Sequence, residues 1–259
     1  MGVINVTPNS FSGLGEHLSP EEIFNRIHSF GAIDILDVGA ESTAPMNQAI
    51  TSHEELLRLV AIFPLLKSLT IPLSLDTYHY ETMISFAQIW MDHGMSVPLI
   101  WNDVSGKWDQ HVSDFLSLHP NFSYVYCHNL APTRELSGKH MEVEFSPRTG
   151  EAYLEELASY LKPHARERVI LDPTLGFSKT YEQNWCVLEN FGKLQKMVGH
   201  TDWLLGFSRK SFLRKRLGIE KLTNENREVL DLYHGDLLEK IKPQLRGTVY
   251  IRTHRPELI

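Results

Sequence analysis

Short runs of β-branched and aromatic residues alternate with helical segments along the chain, and this alternation restricts the fold more than any other feature. Eight runs read as strands, over residues 2–6, 34–38, 73–76, 100–104, 124–127, 169–172, 203–206 and 249–253. Each is short and nearly continuous in apolar residues, as suits a strand buried on both faces. Helical segments fill the intervals over 20–30, 52–66, 81–93, 109–118, 150–161, 182–197 and 226–241. Leu56, Leu59, Val60 and Phe63 recur at helical spacing in the second of these, and Ser19 with Glu22 forms an N-terminal signature for the first. Strict alternation predicts parallel strands joined by crossover helices. The class is therefore α/β, and a TIM-type (β/α)8 barrel and a doubly wound sheet both satisfy the alternation. Little sequence follows the eighth run, so a barrel's last helix is expected to be missing or reduced. With 259 residues, the chain fits one barrel domain over 1–259.

Composition excludes several function classes. The net charge of −7 argues against a nucleic-acid or anionic-membrane surface, while leaving room for a local basic pocket that takes a small anion. No window approaches the ~20 apolar residues of a membrane span. The two cysteines, Cys127 and Cys186, are too few for a disulfide framework and fit a reducing cytoplasm.

The polar residues fall in a telling place. Asn5, Glu41-Ser42-Thr43, Asp76-Thr77, Asn102-Asp103, His128-Asn129, Asp172, Ser208-Arg209-Lys210 and Arg252 with His254 each stand at or just beyond a strand's C-terminal end. In a barrel those ends build the active site. For any one of them a turn or helix cap is the plainer reading, above all for Asp103 and Asn129.

These segments resemble the signatures of dihydropteroate synthases. Gly2-Val3-Ile4-Asn5-Val6-Thr7-Pro8-Asn9-Ser10-Phe11-Ser12 is similar to the family's opening motif, and Asp34-Ile35-Leu36-Asp37-Val38-Gly39-Ala40-Glu41-Ser42-Thr43 to its second. Ser74-Leu75-Asp76-Thr77, Asn102-Asp103-Val104-Ser105-Gly106, Leu171-Asp172-Pro173, Gly176-Phe177-Ser178-Lys179, Gly206-Phe207-Ser208-Arg209-Lys210-Ser211 and Ile251-Arg252-Thr253-His254 follow in family order. The resemblance implies a (β/α)8 barrel that condenses 6-hydroxymethyl-7,8-dihydropterin pyrophosphate with p-aminobenzoate, releasing pyrophosphate with magnesium as the accompanying ion.

Carried over residue by residue, the resemblance assigns the pterin to Asp76, Asn102, Cys127, Asp172, Phe177, Gly206 and Lys210. It assigns the pyrophosphate to Asn5, Arg252 and His254, with Asn5 as an oxygen ligand to magnesium, and p-aminobenzoate to Phe11, Thr43, Pro45 and Ser211. Asn5, Lys210, Arg252 and His254 are the expected catalytic set. The residue chemistry agrees: a pterin edge presents N–H donors that a buried carboxylate can accept, and an unmatched buried donor costs about 1–3 kcal/mol. On residue type alone, core packing for Phe177, a cap for Asp172 and a surface ion pair for Arg252 are the lesser alternatives, whereas a small buried hydrophobe is the better reading of Cys127.

The chain departs from the family pattern in its first two loops. Family members commonly carry Asp where this chain has Asn9 and Gly13, and Arg where it has Ala44. The acidic residue expected after the final histidine is Arg255. Without a loop acid–arginine tie, residues 10–16 and 45–51 are expected to be mobile and p-aminobenzoate affinity lower. Two other functions fit parts of the pattern: a weakly active or non-catalytic pterin-binding paralogue, and a pterin-dependent methyltransferase barrel. The latter leaves the first loop, the Ser-Arg-Lys-Ser segment and the Arg252/His254 pair unexplained. The resemblance also allows a homodimer and an upstream pterin pyrophosphokinase domain.

Overall fold

A computed structural model describes residues 1–6, 20–41, 49–131, 133, 136 and 141–259. It divides into two compact units, Met1–Val125 and Tyr126–Ile259. The first unit runs β1 (Gly2–Asn5), α1 (Pro20–Ser29), β2 (Leu36–Gly39), α2 (Ser52–Leu66), β3 (Leu73–Asp76), α3 (Tyr80–Asp92), β4 (Leu99–Asp103) and α4 (Gln110–Leu118). Strand β5 (Ser123–Cys127) spans the division. The second unit continues with α5 (Gly150–Leu161), β6 (Val169–Asp172), α6 (Tyr181–Glu189), α7 (Phe191–Val198), β7 (Asp202–Leu205), α8 (Ser211–Arg216), α9 (Asn224–Ile241) and β8 (Thr248–Ile251). Strand order follows chain order from β1 to β8. A doubly wound sheet reorders its strands about the first one, whereas consecutive parallel order belongs to the TIM-type (β/α)8 class, which is the fold class here. After β8 comes a 3-10 turn, Pro256–Leu258.

Local chemistry explains most element boundaries. Helix α2 starts on a capping box: Thr51 Oγ1 accepts from the Glu54 amide at 3.2 Å, and Glu54 Oε2 accepts from the Thr51 amide at 2.9 Å. Its buried stripe is Glu55, Leu59, Ile62, Phe63 and Leu66. Val60, expected inside, faces solvent. The stripe turns to bring Glu55 inward, where it meets Thr77. Phe63 packs edge-on against Phe86 and Trp90 of α3, each at 6.1 Å between ring centres.

The helix expected over 182–197 is two helices, α6 and α7, broken at Asn190. Asn190 Nδ2 bonds the Cys186 carbonyl at 2.9 Å and its own carbonyl accepts from Lys193 at 2.9 Å, so it ends one helix and starts the next. Gly192 lets α7 lie close to the Gln244 backbone, because a Cβ there would stand 2.4 Å from the Gln244 carbonyl oxygen. The short helix α8 carries too few residues to show a period and was not expected. The proposed Ser19 cap lies outside the described residues.

Candidate active site

In the first unit the strand register builds the site. Asn5 pairs with Gly39, Gly39 with Asp76, and Asp76 with Asn102, forming one row at the C-terminal ends of β1 to β4. A Cβ on Gly39 would stand 3.4 Å from Asp76 Cβ and 3.5 Å from Asn5 Oδ1, so the glycine keeps space between those two side chains. Beneath the row, the fully buried Asp37 accepts from Ser74 Oγ at 2.6 Å and from Asn102 Nδ2 at 3.1 Å. That bond orients the Asn102 amide and turns its Oδ1 the other way. Sequence reasoning passed over Asp37, although an aspartate between Leu36 and Val38 in a buried strand is a signal in itself.

The other described polar residues expected at these strand ends bond to neighbouring protein groups. Glu41 Oε1 accepts from the Tyr78 hydroxyl at 2.9 Å, and its Oε2 lies 3.1 Å from His79 Nε2. Thr77 Oγ1 donates to Glu55 Oε2 at 2.6 Å. Burial pushes the Glu55 carboxyl up, while the Glu41 hydrogen bond raises His79. Asp103 is the turn residue it could have been: it accepts from the Ser105 amide and hydroxyl, each at 2.8 Å, and from the Tyr124 hydroxyl at 3.0 Å. Burial nonetheless lifts its carboxyl to about 6. In the second unit Asn129 is likewise a turn residue, with Oδ1 accepting from the Ala131 amide at 3.1 Å.

The second unit gathers cations around a carboxylate. Asp172 ends β6, buried, with Oδ1 accepting from the Thr174 amide at 2.6 Å and the Cys127 thiol 4.0 Å from Oδ2. Burial lifts its carboxyl to about 6, against the opposing pull of that amide and of Lys210, Lys179 and Arg252. Lys210 reaches over the following turn. Its Nζ stands 4.2 Å from the centre of the Phe177 ring, and a Cβ on Gly176 would lie 2.9 Å from its Cδ. Gly176, at φ +86°, is required both by its backbone and by this close approach. Gly206 lies beside Arg252, whose Cβ would be in ordinary contact, at 3.4 Å, with a Cβ there. His254 Nδ1 lies 3.1 Å from Ser208 Oγ; when Ser208 donates that bond, Nε2 carries the ring hydrogen.

Asp172, Phe177, Lys210, Gly206, Arg252 and His254 thus occupy the strand ends and turns expected of them. Cys127 is buried against Asp172. Ser211 Oγ is buried without a hydrogen-bond partner among the described residues. Phe11, Gly13, Thr43, Ala44 and Pro45 lie outside the described residues, as does most of the two loops expected to be mobile. Two charges do not add to the anion site. Arg209 turns to α9, donating to Asp231 through Nε at 2.8 Å and Nη2 at 2.6 Å. Arg255 is taken up by Glu257, with Asp231 3.9 Å from its Nη1. Sequence reasoning gave no role to Lys179, which is buried and bonded to His128.

The model of the pterin binding enzyme family matches residues 1–253. The dihydropteroate synthase of Synechocystis is 31% identical over 229 residues, covering 84% of this chain and 73% of its own length. An Arabidopsis thaliana folate synthesis bifunctional protein is 28% identical over 82% of this chain, which spans 46% of that longer protein. Among solved structures, a Clostridium difficile dihydropteroate synthase determined in the presence of pteroic acid superposes with a TM-score of 0.72 at 26% identity, covering 98% of this chain and 89% of that one. With Asp172, Lys210 and Arg252 standing at the strand ends of such a fold, the chain belongs to the dihydropteroate synthase family of pterin-binding enzymes.

Proposed function

We infer that this chain is a transferase of folate biosynthesis that joins 6-hydroxymethyl-7,8-dihydropterin pyrophosphate to p-aminobenzoate, giving 7,8-dihydropteroate and pyrophosphate. The observation that carries this reading is the Asp172 cluster: a buried carboxylate, a lysine laid over an aromatic ring, and a glycine that makes room for that lysine. An anionic Asp172 accepts from the amino-pyrimidine edge of the pterin, which matches its donors to a buried acceptor. Phe177 and the Lys210 stem offer flat and apolar surface to the ring. Arg252 and His254 take the charge that develops on the departing pyrophosphate. The C–O bond at the pterin methylene breaks, the electron-rich pterin spreads the resulting positive charge, and the p-aminobenzoate nitrogen forms the new C–N bond as it loses a proton. No protein nucleophile is required, so positioning and electrostatics supply the rate. Ser211, with its buried unbonded hydroxyl, is assigned to p-aminobenzoate, and Asp76 and Asn102 to the pterin, on their strand-end positions.

Magnesium is part of this proposal. Among the described residues no group of three or more His, Cys, Asp or Glu could hold a metal, and the donor offered is the Asn5 amide oxygen beside Gly39. A single neutral oxygen suits a hard cation whose other ligands are phosphate oxygens and water. When bound, the ion supplies positive charge against the pyrophosphate. A cytoplasmic setting is proposed from two cysteines, Cys127 and Cys186, that are both free.

The test is pyrophosphate release measured with both substrates and with each alone. Release that needs both, and falls sharply in Asp172→Asn, is expected. Pterin binding without release would make the chain a binding paralogue.

A further inference from the structure

The pterin and pyrophosphate roles leave Lys179 unused, yet it is only 1% exposed. Its ammonium meets four protein acceptors: His128 Nδ1 at 3.0 Å, and the carbonyls of His128, Thr174 and Phe177, each at 3.3 Å. Two of these carbonyls belong to the turn between β6 and α6. That turn is strained: Thr174 (φ 54°), Gly176 (φ 86°) and Ser178 (φ 45°) all take left-handed backbone. Non-glycine residues hold such angles only where surrounding bonds over-determine them. Asn184 grips the same turn from α6, accepting from the Gly176 amide at 2.6 Å and donating to the Thr180 carbonyl at 2.8 Å. His128 completes the link to the site, since its backbone amide donates to the Asp172 carbonyl at 2.9 Å.

We infer that Lys179 is a positioning residue for pterin recognition, its ammonium bracing the turn that presents Phe177 and holding Asp172 in its anionic, acceptor-only form. The inference rests on the pterin reading of Asp172. The charged and titratable groups facing the pair are Lys210, Arg252, Cys127 and His128. Burial pushes Lys179 down to about 7, opposed by Asp172 and Cys127. Burial, with Lys179 beside it, also holds His128 well below its usual value. His128 is therefore neutral and accepts from the ammonium. Asp172 and Lys179 each favour the other's charged state, so losing one should shift the other toward its neutral form.

The experiment is calorimetric titration of 6-hydroxymethylpterin across the titration range of Asp172. It is run on the wild type, Lys179→Met, which removes charge and donors, and Lys179→Gln, which keeps donors without charge. Both variants should raise the pH midpoint of pterin binding, with a ~tenfold loss of affinity at neutral pH for each unit the midpoint rises. A brace with no electrostatic role would weaken binding equally at every pH. Unmoved midpoints in both variants would overturn the inference. Should neither variant fold, lysine-labelled wild type decides. Linkage is reciprocal, so saturating pterin must raise the midpoint of the buried lysine signal, and a midpoint that stays or falls overturns the inference. Asp172→Asn separates the two readings. If it binds pterin as the wild type does, the pterin reading fails and this inference with it. If it loses binding while the lysine variants behave as wild type, the role of Lys179 alone is rejected.

Discussion

The strand ends of the first unit are rich in acids, and those of the second in cations. Asp37, Glu41, Glu55 and Asp103 are buried, and each bonds mainly to hydroxyls and amides of its own unit: Ser74 and Asn102, Tyr78, Thr77, and Ser105 with Tyr124. In the second unit Lys179, Lys210 and Arg252 all pull on the single carboxyl of Asp172. The difference separates scaffold from recognition. Neutral donors let the acids brace the strand ends, whereas cations gathered on one carboxylate raise the local positive charge that a pyrophosphate needs. A chain of net charge −7 can therefore bind an anion, because the balance is local.

The first way to break this comparison is at the tie between Arg209 and Asp231. The Asp231 side chain is 1% exposed and the Arg209 side chain 20%. Removing one partner of a buried pair strands the other, so Asp231→Ala should cost about 3 kcal/mol of stability, near the low end of the usual range because the guanidinium is partly solvated. Urea denaturation measures it. A loss below about 1 kcal/mol would make this an ordinary surface pair. The matching change in the first unit, Asp37→Ala, strands the Ser74 hydroxyl and one Asn102 donor. It should cost about 2 kcal/mol and also weaken pterin binding, because Asn102 loses its orientation. Unchanged pterin affinity would place Asn102 outside the site.

The next test uses two carboxyls of equal acidity. Asp103 and Asp172 are both lifted to about 6 by burial. For a raised carboxyl the destabilising contribution is complete above pH 6 and is relieved as pH falls toward the unfolded value near 4. Both residues should show this in stability. Only Asp172 should couple to ligand: pterin affinity should drop by up to about tenfold per pH unit below 6. Calorimetry on Asp103→Asn should reproduce that profile, and Asp172→Asn should flatten it while lowering affinity throughout. A flattened profile in Asp103→Asn would reverse the assignment of scaffold and site.

The fold was legible because buried parallel strands and amphipathic helices write their period locally. Segments 73–76, 52–66 and 150–161 match their elements residue for residue. Long-range contacts were less legible. The close approach of Gly192 depends on Gln244, and the inward turn of Glu55 on Thr77; neither partner is near in sequence. At the site, the resemblance pointed to Asp172 and Lys210, whose charges interact in the second unit. It did not reveal Asp37, Lys179 or the turning away of Arg209. These act through other protein groups, and a lysine written beside a strand end looks the same whether its ammonium faces substrate or a cage of carbonyls.

The smallest effect concerns the Glu41–His79 pair, the ion pair within the first unit's network. His79 is raised chiefly by its hydrogen bond to Glu41, against the opposing cost of burial, with Glu55, Glu41 and Glu81 adding to the rise. A histidine raised in the folded state contributes stability that is complete below its unfolded value near 6.5 and is lost as pH rises through the folded value. The His79 side chain is 21% exposed, so solvent screening holds the contribution below about 1 kcal/mol. His79→Gln should keep a neutral hydrogen bond to Glu41 and lose only the charge. The melting-temperature gap between wild type and variant should therefore be widest at mildly acidic pH, and should close as pH rises past the folded value of His79. A gap that does not vary with pH would show that the His79 charge adds nothing to neutral donors such as Tyr78 and the Ile50 amide. The first unit's strand ends would then be held by neutral donors throughout, which is the limiting form of the contrast with the cation-rich second unit.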